Sequence, residues 1–195
     1  MLTANEKKVL RLLMSSLNTD YSINQIAKRC HLAPNGALKI LRKFEKEGIL
    51  KPKKIANIIS YRLDLNNDKT SNILELALIS ELQGRIRYRL KDFQELKSIT
   101  ESCIIFGSYV NLKKEPNDLD VLFILNNENY KEYRRKLADI SPIIPVKVHD
   151  MVQTEQDLKE NIIKNDKVIM EILLNGVVLW GYKTIVKIIQ NANEG

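Results

Sequence analysis

Cysteine and histidine are scarce in this chain of 195 residues, which contains two of each. Cys30 and Cys103 lie far apart in the sequence, so we interpret them as buried thiols of a reducing cytosol and expect no disulfide. His31 and His149 are the only histidines, and no cluster of cysteines accompanies them. This combination argues against a structural zinc site, which needs about four such ligands.

The sequence also lacks long apolar runs. No stretch approaches the roughly 20 consecutive apolar residues that a membrane-spanning helix requires, and the opening MLTANEKKVL has no apolar core of the signal-peptide kind. We therefore predict a cytoplasmic protein that has no membrane partner. With 44% apolar and 28% charged residues, the chain suits one or two domains with a packed core.

Charge is distributed unevenly along the chain. The net charge is +7, and residues 1–65 hold 13 lysines and arginines against 5 aspartates and glutamates, whereas residues 66–195 hold 18 against 19. The first third therefore carries the whole basic excess. Such asymmetry indicates a polyanionic partner for this part of the chain, with a merely solvated basic face as the alternative.

Apolar periodicity in residues 1–65 predicts three helices followed by a two-stranded hairpin. Serine and proline mark the beginnings of the second and third helices, and a glycine marks the end of the third. The predicted elements are a helix over Asn5–Ser16, a helix capped by Ser22, a helix from Pro34 to Gly48, and strands over Ile49–Lys54 and Ile58–Leu63 that turn at Ala56-Asn57.

This order of elements resembles a winged helix-turn-helix DNA-binding domain, and the section LRKFEKEGIL…YRL carries most of the likeness. The resemblance implies that residues 1–65 bind double-stranded DNA and that the third helix enters the major groove. Base edges and phosphates would be contacted by Asn35, Lys39, Arg42 and Lys43 on that helix and by Lys51, Lys53, Lys54 and Arg62 on the wing. The alternative is a protein contact through the apolar wing residues Ile55, Ile58 and Ile59.

Residues 66–98 are expected to form a linker and a connecting helix. Helical periodicity resumes at about Ser71 and continues to Leu90, and Gly84 marks a candidate kink. The apolar density of Leu74–Leu82 would suit a homodimer contact. The arginines that follow the glycine would either hold phosphates or form a solvated helix face; they are Arg85, Arg87 and Arg89.

The segment IIFGSYVNLKKEPNDLDVLFIL, residues 104–125, carries the chemistry of the C-terminal part. Alternate side chains of a strand share a face, so Asp118 and Asp120 would project together beside the turn at Gly107-Ser108. Two carboxylates held that close repel each other and favour a divalent cation between them. A glycine turn entering a helix offers backbone N–H groups to phosphate. Together these features suggest nucleotide chemistry.

The segment resembles the signature of the DNA polymerase beta nucleotidyltransferase superfamily. Gly107, Ser108, Asp118 and Asp120 match that signature, and Phe106 and Tyr109 are similar to the residues of small prokaryotic minimal nucleotidyltransferases. The resemblance implies that Asp118 and Asp120 are catalytic carboxylates that hold Mg²⁺ or Mn²⁺. It also implies that Gly107 and Ser108 bind the phosphates of an NTP, which is the substrate or ligand.

We predict an α+β fold, in which residues 99–195 form this nucleotidyltransferase-like domain around a small mixed sheet. Its predicted strands are Ser102–Phe106, Asp118–Leu125, Val146–Met151 and Val177–Trp180. Its predicted helices are Tyr109–Lys113, Asn129–Leu137, Gln153–Asn165, Lys167–Leu174 and Tyr182–Asn191.

The third carboxylate of the family is where the sequence departs from the pattern. In the strand PVKVHD, alternation predicts that Lys147 and His149 face the acids and that Asp150 faces away. We expect Lys147 to stand where the family places an acid, as a counter-charge that weakens the metal site. His149 is either a base or ligand or an ordinary surface histidine.

Three functions remain open on these grounds. The first is a DNA-binding, regulator-like protein whose nucleotidyltransferase fold senses a nucleotide, binds a partner or dimerises. The second is an active transferase that moves NMP from an NTP to a protein, a small molecule or a nucleic-acid end, with an antitoxin-like role as one form of it. The third is a protein-interaction module.

Overall fold

The computed structural model describes residues 1–55, 58–111 and 115–193, which form nine α-helices and six β-strands. Ala56 and Asn57, the predicted turn, lie outside the described residues. In chain order the elements are α1 (Ala4–Met14), α2 (Ile23–Cys30), α3 (Pro34–Lys46), β1 (Leu50–Ile55), β2 (Ile58–Leu63), α4 (Asp68–Leu78), α5 (Gly84–Asp92), β3 (Ser102–Phe106), β4 (Asp118–Ile124), α6 (Tyr130–Ile140), β5 (Lys147–Gln153), α7 (Glu155–Ile163), α8 (Lys167–Asn175), β6 (Val177–Trp180) and α9 (Tyr182–Asn193).

The first three helices begin where the sequence provides capping residues. Thr3 and Glu6 form a capping box at the start of α1, and Ser22 and Gln25 form another at the start of α2. Pro34 occupies the first turn of α3, where its missing N–H has no partner to lose. These caps confirm the predicted starts of the second and third helices.

The hairpin β1–β2 forms the predicted wing. Its strands pair antiparallel, with Leu50 opposite Leu63, and a further bridge joins Ser60 of β2 to Ser22 before α2. Tyr61 is buried and its hydroxyl lies 3.2 Å from the carboxylate of Glu45 in α3. The wing is therefore attached to the second and third helices, and the predicted three-helix winged arrangement is confirmed.

The connecting segment is not one long helix. It consists of α4 and α5, separated by an extended stretch in which Ile79 and Gln83 have extended backbone angles. Gly84 has φ +52°, a left-handed conformation that an α-helix interior does not accept. The prediction of continuous helix through Gly84 was therefore wrong, and the glycine begins a new helix.

Helix α4 packs within the chain. Leu74, Ala77 and Leu78 are buried, and α4 contacts α1 and α9. The apolar density that suggested a dimer contact is thus largely used inside the chain, while Leu76 and Ile79 stay exposed. The dimer itself stays a prediction.

The C-terminal sheet has the strand order β5-β4-β3-β6. Strand β3 pairs antiparallel with both β4 and β6, whereas β4 and β5 are parallel. This is the small mixed sheet that the sequence predicts. Two of its strands, Ser102–Phe106 and Val177–Trp180, have the predicted bounds, and the other two differ by one or two residues at their ends.

Each face of the sheet is covered by a separate apolar cluster. Ile104, Leu122 and Ile124 pack with residues of α7, α8 and α9, and this cluster continues into α1 and α4. On the other face, Ile105 and Phe123 pack with residues of α5 and α6. Burying both faces explains why β3 and β4 are nearly continuous apolar runs.

The N-terminal helices are tied to the C-terminal part by Arg11 of α1. Its guanidinium donates to the carbonyl oxygen of Leu173, with Nε at 3.2 Å and Nη2 at 3.1 Å, and Nη2 also donates to the carbonyl oxygen of Gly176. These carbonyls end α8, where a cation is favoured. Burial lowers the pKa of Arg11 to about 10.

Among the helices of the described ranges, none has both the length and the apolar composition required to cross a bilayer.

Candidate metal and nucleotide site and DNA-binding face

Asp118 and Asp120 open strand β4 and project from the same face of the sheet. Leu119 between them points to the opposite face and is fully buried. Because the core anchors Leu119, both carboxylates are directed to the surface side, where each side chain is about a third exposed or less (34% and 27%). The predicted pairing of the two acids on one face is therefore present.

The turn after β3 lies against the second acid. Gly107 has φ +67°, and a Cβ atom built on it would lie 2.3 Å from Oδ2 of Asp120. Any other residue is disfavoured there, since the backbone conformation is strained for a residue with a Cβ and the contact would force the Asp120 carboxylate to move. Ser108 follows in an exposed position in the short 3₁₀ helix Gly107–Val110. Part of the predicted helix Tyr109–Lys113 lies outside the described residues.

His149 completes the group. In the parallel pairing of β4 with β5, His149 stands beside Asp120 and Lys147 beside Asp118. The Nδ1 atom of His149 lies 3.4 Å from Oδ2 of Asp118 and 3.8 Å from Oδ1 of Asp120. The imidazole ring is therefore a third potential metal ligand beside the two carboxylates.

Lys147 stands beside Asp118 in the strand register as predicted, but the expectation that it is the counter-charge of the two acids was wrong. Its side chain is exposed, and it makes no ion pair with either acid in the part of the chain that the structure describes. The long flexible lysine side chain reaches solvent from the strand position beside Asp118, whereas the short imidazole of His149 is held over the carboxylates. Asp150 faces away as predicted, and it accepts hydrogen bonds from Tyr133 and Arg134, both at 2.9 Å.

The electrostatics of the pair show the mutual repulsion of the two carboxylates. Partial burial raises the pKa of Asp120, and the negative charge of Asp118 raises it further, while His149 acts in the opposite direction. A raised carboxyl pKa means that the charged form of Asp120 is less favourable than that of an isolated aspartate, and a nearby positive charge would offset this. A bound divalent ion would supply that charge.

The donor set fits a divalent metal ion. One oxygen from each acid and one nitrogen of His149 all lie within 4.8 Å of one another. Ligands held about 2.1 Å from one ion lie roughly 3.0–3.4 Å apart in octahedral or tetrahedral geometry. The nitrogen of His149 lies 3.4 and 3.8 Å from the two carboxylate oxygens, and the spread of up to 4.8 Å within the group means that the donors would draw together by up to about 1.4 Å around one ion.

The predicted DNA-contacting residues of α3 share one exposed face. Asn35, Lys39 and Arg42 follow helical spacing and are exposed, whereas the opposite face buries Leu41 and Phe44. None of the three forms an ion pair with another described residue. These side chains can therefore meet a ligand without breaking an ion pair to a described residue.

Lys43 differs, because its ammonium forms a 2.7 Å ion pair with Glu6 of α1. Burial acts to raise the pKa of Glu6, but hydrogen bonds from Lys43 and Thr3 leave it lowered. The hydrogen bond to Glu6 raises the pKa of Lys43. Lys43 thus ties the third helix to the first.

Three basic residues of the wing are also paired within the chain. Asp20 accepts from Arg62 in bidentate fashion at 2.6 and 2.8 Å and from Lys53 at 3.0 Å. Hydrogen bonds from Arg62 and then Lys53 lower the pKa of Asp20 to about 2. Lys51 pairs with Asp64 at 2.9 Å. The sequence had presented all these cations as equal, but only Lys54 on the wing is exposed without such a pairing to a described residue.

Comparisons with known families agree with both halves of this geometry. Residues 2–51 match the family described as "Winged helix-turn-helix DNA-binding", and residues 89–172 match the family described as "Polymerase beta, Nucleotidyltransferase". The chain joins a winged helix-turn-helix domain to a nucleotidyltransferase domain. The second match includes the glycine turn, both acids of β4 and the histidine of β5.

Two solved structures of mutant forms of Lactococcus lactis ZitR are similar to part of the chain. One is 14% identical and covers 73% of this chain and 75% of its own, and the other is 13% identical and covers 72% and 74%. Both have a TM-score of 0.32, and we draw nothing from a likeness at this level. No curated protein matches the chain.

Arg85 of the connecting helix α5 contacts the nucleotidyltransferase domain in a way that the sequence left open. Its guanidinium donates to the carbonyl oxygens of Tyr109 at 3.1 Å and Asn111 at 2.7 Å, and it lies 5.1 Å from the centre of the Tyr109 ring. Arg85 therefore holds the turn that follows Gly107-Ser108. Of the neighbouring arginines, Arg89 is buried and pairs with Asp92 at 2.8 Å, and only Arg87 lies on a solvated face.

Proposed function

We propose that the protein is a DNA-binding, regulator-like protein whose nucleotidyltransferase domain binds an NTP together with a divalent ion. The observation that carries the DNA part is the exposed, unpaired set of Asn35, Lys39 and Arg42 on the third helix of a winged helix-turn-helix domain. Amide and guanidinium groups read adenine and guanine edges, and lysine neutralises phosphate. Lys54 extends this cationic face onto the wing.

The basic residues that form ion pairs within the chain are expected to contribute less to DNA binding. Lys51, Lys53 and Arg62 would contact phosphate only by sharing or leaving their acidic partners, so they contribute less to binding than their number suggests. Lys43 serves chiefly to orient α3. The DNA face of the protein is thus centred on the recognition helix.

The DNA part is tested by selecting ligands for the full-length protein from a pool of random duplexes. The affinity of the selected site is then measured against salt concentration. Lys39→Ala/Arg42→Ala should lower the salt slope by about 1, because the lost phosphate contact of Lys39 removes roughly 0.9, and it should relax the base preference that Arg42 supplies. The matched control is Arg87→Ala/Lys91→Ala, which removes the same charge from exposed positions of α5. Equal affinity losses in the two variants would refute the assignment of the recognition face.

In the nucleotidyltransferase domain, Asp118 and Asp120 hold the ion and the Gly107-Ser108 turn holds phosphate. The bound ion supplies positive charge to the triphosphate oxygens. Backbone N–H groups of the turn and the Ser108 hydroxyl bind phosphate oxygens, and Gly107 allows Asp120 to lie against the turn. Arg85 stabilises the turn by donating hydrogen bonds to the carbonyl oxygens of Tyr109 and Asn111.

A second candidate function is catalysis of nucleotidyl transfer. It is favoured by His149, because a third donor stands beside the two acids at the strand that the sequence analysis left open between a lysine and a histidine. The test is transfer from α-labelled NTPs in native lysate with Mg²⁺ or Mn²⁺, compared with Asp118→Asn/Asp120→Asn. Label that appears only with the wild-type protein supports an enzyme and identifies its acceptor. No label, in a lysate that supports a known transferase, refutes catalysis and leaves nucleotide binding.

We further propose a homodimer contact through the exposed residues Leu76 and Ile79 at the end of α4. Sedimentation of the wild type and of Leu76→Gln tests it. Monomers of both proteins at all concentrations would refute the contact.

A further inference from the structure

We propose that His149 makes the metal site selective for a first-row transition-metal ion over Mg²⁺. This inference rests on the proposed function, in which a divalent ion binds at Asp118 and Asp120. It concerns which ion the site prefers and which side chain sets that preference.

The position of the ring is the first step. His149 is set beside Asp120 by the register of β5 on β4, so its place does not depend on a flexible loop. Its Nδ1 atom faces both acids, at 3.4 Å from Asp118 and 3.8 Å from Asp120. With 45% of its side chain exposed, the ring also leaves room for water or phosphate oxygens to complete the coordination of an ion.

The chemistry of the donor set is the second step. Mg²⁺ is a hard ion that demands oxygen ligands in near-ideal octahedral geometry and gives up water reluctantly. Imidazole nitrogen suits softer ions, and affinity for a mixed nitrogen and oxygen site rises along the series from Mn²⁺ to Co²⁺. Two carboxylates and one imidazole therefore favour these ions more strongly than three carboxylates would.

The competing explanation for the same geometry is that His149 itself supplies the positive charge beside the two acids. A protonated His149 would neutralise them, and no metal ion would be needed. In that case divalent ions would compete with a proton on the ring and bind poorly at all three donors. The two explanations differ in what removal of the ring does: it weakens ion binding in the first case and strengthens it in the second.

The experiment measures binding of Mg²⁺, Mn²⁺ and Co²⁺ to the full-length protein by calorimetry at pH 7.5. The ratio of the Mn²⁺ and Mg²⁺ dissociation constants is compared among the wild type, His149→Asp and His149→Ala. The control is His31→Asn, because His31 caps α2 with φ +55° away from the site and asparagine accepts that conformation. Co²⁺ adds a second readout, since its visible absorption changes when a nitrogen ligand is lost.

The inference predicts that His149→Asp lowers the preference for Mn²⁺ over Mg²⁺ by tenfold or more and changes the Co²⁺ spectrum, whereas His31→Asn alters neither. The alanine variant should lose Mn²⁺ and Co²⁺ affinity while Mg²⁺ affinity changes less. An unchanged ratio in both His149 variants, with ions still bound, would overturn the inference and leave the proposed function intact. Tighter ion binding by His149→Ala would also overturn it, in favour of the counter-charge. If none of the three ions binds to the wild type, both this inference and the proposed metal-dependent function are refuted.

Discussion

Replacement of Gly107 by alanine tests how closely the proposed phosphate-binding turn and the proposed metal site depend on each other. The added Cβ would lie 2.3 Å from Oδ2 of Asp120, so that oxygen must move by about 1 Å to reach the ordinary contact distance of 3.4 Å. The left-handed backbone at φ +67° adds about 1–2 kcal/mol of strain for any residue with a Cβ. For a chain of this length that corresponds to a melting temperature lower by roughly 2–8 °C.

Because Oδ1 and Oδ2 belong to one carboxylate, moving Oδ2 also turns Oδ1, the oxygen of Asp120 that faces His149, away from its position in the proposed ion-binding group. We expect Gly107→Ala to weaken Mn²⁺ binding at least tenfold, which is about 1.4 kcal/mol. Calorimetry measures the affinity, and thermal unfolding measures the stability. The control is Gly36→Ala, because a Cβ at Gly36 meets nothing within 4 Å and the helix α3 favours alanine. If Gly107→Ala were as stable as the wild type and bound Mn²⁺ equally well, the close contact between turn and acid would be refuted.

Two further predictions concern polar contacts that the N-terminal domain makes through Asp20 and through Arg11. Asp20→Asn should lower the urea midpoint above about pH 4 and converge with the wild type as the pH falls toward 2, because the pKa of Asp20 is depressed from 3.8 to about 2; a difference that stays constant with pH would contradict this. Arg11→Met should reduce stability by about 1–3 kcal/mol, because the carbonyls of Leu173 and Gly176 lose their donor. The matched variant Arg87→Met, on an exposed face, should change the free energy of unfolding, measured with urea, by about 0.5 kcal/mol or less. Equal effects of the two arginine substitutions would refute the role of Arg11.

The elements of this fold were largely predictable because their signals are local. Caps such as Ser22, the proline at the start of α3 and the apolar runs of β3 and β4 act over a few residues. The break between α4 and α5 was missed because a glycine in a periodic sequence gives the same signal whether it bends a helix or ends one. The conformation of Gly84 decides between the two.

The site was only half predictable because its other half depends on strand register. Gly107, Ser108, Asp118 and Asp120 lie in one short segment whose alternation places them together. Whether His149 or Lys147 meets the acids depends on side-chain reach across the pairing of β4 with β5, which the sequence does not contain.

The ion pairs of the DNA-binding domain depend on tertiary contacts in the same way. Asp20 lies more than 30 residues from Lys53 and Arg62, and nothing in its neighbourhood predicts that it binds both. Glu6 and Lys43 are likewise 37 residues apart. A count of basic residues therefore overstates the free charge of the domain.

The most direct test of the proposed nucleotide site is the binding of a non-hydrolysable NTP to the full-length protein, measured by calorimetry with Mn²⁺ and with EDTA. We predict that the wild type binds the nucleotide with Mn²⁺ and loses it in EDTA, and that Asp118→Asn/Asp120→Asn does not bind it under either condition. Binding that is unaffected by EDTA and by the double substitution, or no binding by the wild type, would contradict a metal-dependent nucleotide site at these two carboxylates.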